Sequence, residues 1–207
     1  EIYQCDWSSD VCSSDLVNQK TPPLRHAHSA VFNIVNNYPG PYTLLCSGGV
    51  DSQAMLWSWI SSGVDFNVVT VKYVSNSVNY NADDLATLEK FCEIHKIPLT
   101  HKTFDVIGFL DTAYESYAIK YQCTSPQICT HMKMSELIEN GTVVFSGNFI
   151  EESGISLSYT ICGLARYADW SGRNIIPFFF MQTPSLAFCF RKDRKSTRLN
   201  SSHTDIS

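Results

Sequence analysis

Short apolar runs alternate with longer segments of helical periodicity along most of the chain. The clearest strand and helix lie near the start of this region. Residues 42–46 are apolar apart from one threonine, and a largely apolar stretch follows from Gln53 to Ile60. Short apolar runs that are rich in β-branched side chains are typical of strands, and further ones occur at 66–74, 99–104 and 142–146. Helical spacing predicts a helix that Asn81 caps with its side chain, and further helices over 106–121 and over 132–139.

This alternation predicts the α/β class, with a mainly parallel sheet and helices on both faces. In such sheets, ligands bind beyond the carboxyl ends of the strands, at the point where the strand order reverses. The polar residues 47–52 follow the first strand and are therefore expected to face a ligand. Tyr73, near the end of the second strand, and Ser146-Gly147, after the fourth, are expected at the same edge.

The segment Ser47-Gly48-Gly49-Val50-Asp51-Ser52 is the strongest indication of function. Adjacent glycines let a backbone turn sharply with its N–H groups in one concavity, and the helix that follows adds the positive end of its dipole. Such a concavity suits a pyrophosphate with its metal ion. A Walker A loop is excluded, because it needs a lysine close behind its glycines and none lies between Lys20 and Lys72. A solvated Gly-Gly turn is the alternative.

Placed between a strand and a helix, these six residues resemble the Ser-Gly-Gly-x-Asp-Ser signature of the PP-loop ATP pyrophosphatases, and all the fixed positions match. The resemblance implies the α/β fold of the adenine nucleotide alpha-hydrolase (HUP) type. It also implies ATP as the cofactor, cleaved between its α and β phosphates to AMP and pyrophosphate. The ATP contacts implied here are Cys46, Ser47, Gly48, Gly49, Val50, Asp51 and Ser52, with Tyr73, Ser146 and Gly147 from the later strands.

Residues 146–152, Ser-Gly-Asn-Phe-Ile-Glu-Glu, resemble the Ser-Gly-Glu-Gly-x-Asp-Glu segment of asparagine synthetases. Glu151 stands where that family has the aspartate that serves the magnesium-pyrophosphate. Mg²⁺ prefers carboxylate and phosphate oxygens, so Asp51 and Glu151 are the candidate pair of metal ligands. Asp51 could instead stabilise the start of the helix, and Glu151 could be solvated. Asn148 and Phe149 replace the family's Glu and Gly, which predicts an altered acceptor site.

A third segment, residues 173–179, resembles the Arg-x-Pro-Phe-Leu-Asp segment of the same enzymes but has no Leu-Asp. Arg173 could grip a phosphate or a substrate carboxylate in a forked geometry, and Lys133 could offset charge in the transition state. Both could equally be solvated surface residues. The family activates a carbonyl or carboxylate as its adenylate, and a nitrogen nucleophile then displaces AMP. The chain carries no glutaminase domain, so free ammonia or a separate nitrogen-donor protein is the implied nitrogen source for a small-molecule acceptor.

Two alternatives to nitrogen transfer remain open. A sulfur-transfer or sulfonucleotide-reductase activity would need a reactive cysteine, and Cys123 or Cys129 would supply it. Together with His131 these two could also hold a metal, although their spacing is not that of the usual zinc motifs. The other alternative is an ATP-binding protein that has lost catalysis.

Both ends of the 207-residue chain differ in character from the middle. Residues 1–16 and 191–207 have almost no apolar periodicity and resemble translated sequencing-adapter sequence of the kind found in metagenomic reading frames, which predicts non-native tails and a truncated gene. Residues 17–190 then form one domain with ten basic against fourteen acidic side chains. This balance argues against a nucleic-acid partner. Scattered cysteines and the lack of a long apolar run predict a cytoplasmic protein without a membrane segment.

Overall fold

The computed structural model describes residues 23–146, 155–187 and 189, and only the backbone of residues 23 and 155–162. In chain order the elements are α1 (Pro23–Asn37), β1 (Tyr42–Leu45), α2 (Val50–Ser62), β2 (Asn67–Ser75), β3 (Val78–Asn79), α3 (Ala82–Ile94), β4 (Leu99–Asp105), α4 (Val106–Thr112), α5 (Tyr114–Lys120), α6 (Pro126–Ser135), β5 (Thr142–Phe145), α7 (Ile155–Ser171), β6 (Asn174–Ile176) and a 3₁₀ turn (Phe179–Met181).

The sheet is mainly parallel and follows the doubly wound strand order. Strands β4, β2, β1, β5 and β6 lie side by side and are parallel, while the short β3 pairs antiparallel with the end of β2. The chain winds outward from β1 to β2 and β4, then returns to the other side of β1 for β5 and β6. The order therefore reverses between β1 and β5, where Leu45 is in register with Phe145.

Helices cover both faces of this sheet, so each strand of the centre is buried on two sides. Helices α1, α2 and α3 pack on one face, where Ile34, Met55 and Trp59 are fully buried. Helices α4, α6 and α7 pack on the other face around Phe109, Met132 and Leu164. The predicted α/β class with helices on both faces of a mainly parallel sheet is confirmed.

Several predicted element bounds were wrong. The helix placed at 132–139 is α6, which starts earlier because the Ser125 hydroxyl accepts a hydrogen bond from the Ile128 N–H and Pro126 occupies its first turn. The single helix at 106–121 is two helices that meet at Ala113. The elements α1, β3, α7 and β6 were not predicted.

Candidate nucleotide-binding site

The segment 47–52 turns directly from β1 into α2. Helix α2 begins at Val50, so the second half of the segment forms its first turn, and Gly49 precedes the helix in extended conformation. Gly48 adopts a φ of +99°, which strongly favours glycine. Gly49 has no side chain that could cap the helix, and the first-turn N–H groups of any helix lack intrahelical acceptors. The loop therefore offers backbone donors and a positive dipole end to an anion.

Three hydroxyl groups meet where this loop faces the end of β5. The Ser52 Oγ lies 3.2 Å from the Ser47 Oγ and accepts a hydrogen bond of 3.1 Å from the Ser47 N–H. It also lies 3.4 Å from the Ser146 Oγ. The structure thus brings Ser146, from 94 residues further along the chain, to the loop, as the reversal of strand order between β1 and β5 requires.

Hydrogen bonds from neighbouring backbone and side chains hold the loop in place. The Cys46 N–H donates to the Val69 carbonyl at 3.0 Å, and the buried Thr70 hydroxyl donates to the Cys46 carbonyl at 2.8 Å. The Gln53 side-chain amide donates to the Gly48 carbonyl at 2.8 Å. Burial and the nearby Cys92 thiol raise the pKa of Cys46 well above its ordinary value, so Cys46 serves the loop through its backbone.

Gly48 also lies against the first turn of α3. A Cβ built on this residue would lie 2.0 Å from the carbonyl oxygen of Asp84, far inside van der Waals contact. Only glycine therefore fits here, both because of its positive φ and because of the space. Neither Thr70 nor Asp84 belongs to the recognised motif, and Gln53 follows it directly, so the sequence alone gave no signal for their part in supporting the loop.

Asp51 is half-buried in the first turn of α2. In that position a carboxylate stabilises the positive end of the helix and can also ligate a cation held on a bound phosphate. Among residues 23–146 and the described parts beyond, no group of three His, Cys, Asp or Glu side chains could hold a metal by itself. The donors at this loop are carboxylate and hydroxyl oxygens, which fit Mg²⁺ carried in largely by phosphates and water. Gly147 and Glu151 lie outside the described residues.

Tyr73 lies on β2 beyond the end of β1, with its side chain on the α6 face of the sheet. Its hydroxyl donates to the Met134 sulfur at 3.1 Å, and its ring lies edge-on to that of Phe104. Burial, with the nearby Asp84 carboxylate, raises the pKa of Tyr73, so the phenol stays neutral. ATP binding by Tyr73 stays a prediction.

Lys133 forms an ion pair with Glu136, which follows the last residue of the same helix, α6. Its Nζ lies 2.7 Å from the Glu136 Oε2, and Glu136 also accepts hydrogen bonds from the hydroxyls of Tyr117 (2.6 Å) and Tyr167 (3.1 Å). Burial opposes ionisation of Glu136, but the bonds from Lys133 and the tyrosines outweigh it and lower its pKa. Burial, and then Glu136, raise the pKa of Tyr117. These contacts give Lys133 a structural role, and its catalytic role stays a prediction.

Arg173 lies at the amino end of the parallel strands, whereas the loop lies at their carboxyl end. It precedes β6, and β6 runs parallel to β5 with Asn174 in register with Thr142, the first residue of β5. Its guanidinium donates to the carbonyls of Ser135, at 2.7 Å, and Ile138. The structure therefore does not bring Arg173 to the loop 47–52, because a residue before a parallel strand and a residue after one lie at opposite ends of the strands.

The cysteine alternative is unfavourable in this environment. Cys123 and Cys129 are buried, and the Cys129 thiol donates to the Cys123 carbonyl at 3.4 Å. Burial, followed by the neighbouring Cys123, raises the pKa of Cys129 to about 12. A thiol of this kind is not a nucleophile near neutral pH. His131 instead stacks on Phe145, with ring centres 5.0 Å apart. No described group qualifies as a metal site, so the metal alternative for these three residues is not supported.

No protein-family model matches the chain, and among curated proteins there is no significant match. Among the solved structures with a distant likeness to this chain are the following three. A "predicted subunit of tRNA methyltransferase" from Methanocaldococcus jannaschii is 16% identical, with a TM-score of 0.44 and 66% of each chain covered. An NH3-dependent NAD synthetase from Campylobacter jejuni is 14% identical, with a TM-score of 0.39, 61% of this chain covered and 56% of the other.

The third, NMN synthetase from Francisella tularensis, is 12% identical, with a TM-score of 0.44, 84% of this chain covered and 92% of the other. At TM-scores below 0.5, these likenesses do not decide between functions, and the class of this chain rests on its own strand order and loop. In the part of the chain that the structure describes, no helix has the length and apolar character needed to cross a membrane.

Proposed function

We propose that this chain binds ATP at residues 46–52 and cleaves it between the α and β phosphates. The observation that carries the proposal is the meeting of Ser47, Ser52 and Ser146 at the reversal of strand order, beside the start of α2. Hydroxyl donors and the positive end of a helix therefore lie together beyond the carboxyl ends of β1 and β5. A triphosphate is the ligand class that such a set of donors fits best.

The proposed reaction is the activation of an acceptor as its adenylate. An oxygen of a carbonyl or carboxylate attacks the α-phosphorus, the α–β phosphoanhydride bond breaks, and pyrophosphate leaves with the bonding electrons. The backbone amides around Gly48 and Gly49, with the Ser47 and Ser52 hydroxyls, would bind the pyrophosphate and stabilise its charge. Mg²⁺, when bound, would neutralise phosphate charge, and Asp51 and Glu151 are its expected ligands.

In the second step a nitrogen nucleophile displaces AMP from the acceptor, as in an asparagine synthase-like reaction. The acceptor is a small molecule, and the nitrogen comes from free ammonia or from a separate donor protein. The formal net charge of −5 disfavours a nucleic-acid substrate, because phosphate contacts need clustered Lys and Arg. A cytoplasmic location completes the proposal, consistent with the free, buried cysteines among the described residues.

An ATP-binding protein without catalysis is the second candidate. It is favoured by the positions of Lys133 and Arg173, since one is paired with Glu136 and the other lies at the far edge of the sheet. Sulfur transfer is disfavoured by the raised pKa of the Cys129 thiol.

The test is to incubate the protein with ATP, Mg²⁺, ammonium and a panel of carboxylates, and to measure AMP and pyrophosphate. We expect both products in equal amounts and only with certain acceptors. With an ¹⁸O-labelled carboxylate, one label should appear in AMP, because the acceptor oxygen forms the bond to the α-phosphorus. Release of ADP and phosphate would contradict the proposal. Tight ATP binding without release of pyrophosphate for any acceptor would favour the binding protein.

A further inference from the structure

Asn81 connects the end of β2 to the start of α3 in an unusual way. It directly precedes α3, where asparagine commonly accepts a hydrogen bond from the helix N-terminus, but its side chain makes no such bond. The Asn81 Oδ1 accepts a hydrogen bond from the Tyr73 N–H at 2.9 Å, and its Nδ2 donates to the Val71 carbonyl at 2.9 Å. Both ends of the amide are therefore engaged by the backbone of β2, and the predicted capping role of Asn81 is wrong.

The two hydrogen bonds of the Asn81 side chain satisfy backbone groups of β2 that a neighbouring strand would otherwise pair with. The Val69 carbonyl accepts from the Cys46 N–H at the end of β1, and alternate residues of a strand direct their backbone groups to the same edge. Val71 and Tyr73 therefore face the side on which β1 has just ended in the loop. The planar amide of Asn81 continues the pairing at this edge, immediately beyond residue 46.

Through the same residue, β2 determines where the first turn of α3 lies. The Asn81 carbonyl accepts the first helical hydrogen bond, from the Leu85 N–H at 3.0 Å. One residue before Leu85, the Asp84 carbonyl lies so close to Gly48 that a Cβ there would be 2.0 Å from it. The contacts thus run without a gap from β2 through Asn81 and the first turn of α3 to the glycine of the loop.

We propose that Asn81 is a positioning residue for the nucleotide loop, which holds the first turn of α3 against Gly48 and so keeps the loop in its anion-binding shape before ATP arrives. The inference rests on the proposed function, because the ligand is the ATP of that site. A loop that is ordered in advance binds more tightly, since binding does not have to order it. The position needs one donor and one acceptor on a short planar group, which asparagine supplies and ionised aspartate does not.

The first experiment compares Asn81→Ala with the wild type by hydrogen exchange, without any ligand. We expect the amides of residues 47–53 and of the first turn of α3 to exchange about tenfold faster, as the loss of two hydrogen bonds suggests. The dissociation constant for ATP with Mg²⁺, measured by calorimetry, should rise by about the same factor. Thr87→Ala is the matched control, because the Thr87 hydroxyl bonds to the Asp83 carbonyl within α3 and is exposed. Both measurements should stay unchanged in that variant.

Asn81→Asp separates positioning from a general loss of structure. Near pH 7.5 its carboxylate has no donor for the Val71 carbonyl, and the variant should resemble Asn81→Ala. Near pH 4, close to the ordinary aspartate pKa of about 3.9, roughly half of the carboxyl groups are protonated and regain that donor, so the ratio of its ATP affinity to that of the wild type should rise again. The neighbouring Asp83 and Asp84, both exposed, are the same in the two proteins, so the ratio removes their effect.

The two proposals fail separately. Loop exchange in Asn81→Ala that equals the wild type would overturn the positioning role, whether or not ATP binds. A wild-type protein that binds no ATP would overturn the proposed function, while the exchange of residues 47–53 would still decide whether Asn81 orders the loop. If Asn81→Ala does not fold, Asn81→Ser decides, because its hydroxyl keeps a donor and an acceptor but is too short to reach both groups of β2. Faster exchange of residues 47–53 than in the wild type supports the inference, and equal exchange overturns it.

Discussion

The hydroxyl oxygens of Ser52 and Ser146 lie 3.4 Å apart, and they join the loop after β1 to the end of β5. Ser52 is 1% exposed and lies in the first turn of α2, while Ser146 directly follows β5. Because the strand order reverses between β1 and β5, the helices that follow these strands, α2 and α7, pack on opposite faces of the sheet. The contact marks the carboxyl ends of β1 and β5, where ligands bind in sheets of this kind.

Ser52→Ala should weaken ATP binding by at least about tenfold, because the Ser47 N–H loses its acceptor and the hydroxyl contact to Ser146 is lost. The same change should lower the free energy of unfolding by about 1 to 3 kcal/mol, since it leaves a partly buried donor unpaired. Calorimetry with ATP and urea unfolding measure the two effects. Ser61→Ala, at the exposed far end of α2, is the control and should leave ATP affinity unchanged.

Gly48→Ala should disrupt the loop far more than Gly63→Ala. Both glycines have positive φ, of 99° and 71°, so both substitutions cost backbone strain of about 1 to 3 kcal/mol. A Cβ at Gly63 meets nothing within 4 Å, whereas one at Gly48 would collide with the Asp84 carbonyl. We expect only Gly48→Ala to abolish ATP binding. Equal unfolding free energies and equal affinities for the two variants would show that the first turn of α3 does not press on the loop.

The sequence predicted the part of the site that is local. The strand, the loop and α2 occupy adjacent residues, so apolar pattern and glycine spacing were sufficient for 42–60. Ser146 was placed correctly through strand order, because parallel strands share a carboxyl edge. The predictions that were wrong depend on tertiary partners. Asn81 matches a helix cap, but its side-chain amide bonds to the open edge of β2 instead. Arg173 matched a motif, and only the register of β6 shows which edge of the sheet it occupies.

Glu136→Gln and Lys133→Met test whether Lys133 is structural or catalytic. The lowered pKa of Glu136 means that its ion pair stabilises the fold fully above its ordinary value of 4.5, and that this contribution is lost as the pH falls through the folded value. Each variant should therefore lower the free energy of unfolding at pH 7 by about 1 to 2 kcal/mol, and the double variant by less than the sum. We expect the two single variants to release pyrophosphate at similar rates. A loss of turnover in Lys133→Met alone would instead establish the catalytic role.

Arg173→Met should reduce stability without changing ATP affinity. The guanidinium satisfies the carbonyls of Ser135 and Ile138 between α6 and β5, so its loss leaves them without these donors and should cost about 1 to 3 kcal/mol. Arg173→Lys, which keeps the charge and can restore one bond, should recover part of that loss. Urea unfolding and calorimetry with ATP are the measurements. A tenfold loss of ATP affinity in a folded Arg173→Met protein would contradict the position of this residue at the far edge of the sheet.

His131 should make the fold less stable in mild acid. Its ring stacks on Phe145, its Nδ1 is buried without a hydrogen-bond partner, and burial lowers its pKa from 6.5 to about 4. Because the unfolded chain takes up the proton first, the contribution of neutral His131 is complete above pH 6.5. It declines as the pH falls toward 4, by about 1 to 3 kcal/mol, since the residue as a whole is only partly buried.

His131→Phe keeps an aromatic ring against Phe145 and removes the buried nitrogen, so it should be at least as stable as the wild type at pH 7 and lose this decline between pH 6.5 and 4. The matched control is His101→Gln, at an exposed position on β4, which should keep the decline. Urea unfolding at a series of pH values measures both, and NMR of the imidazole protons gives the pKa directly. An imidazole of His131 that titrates near 6.5 in the folded protein would contradict its burial beside Phe145, and with it the packing of α6 against the end of β5.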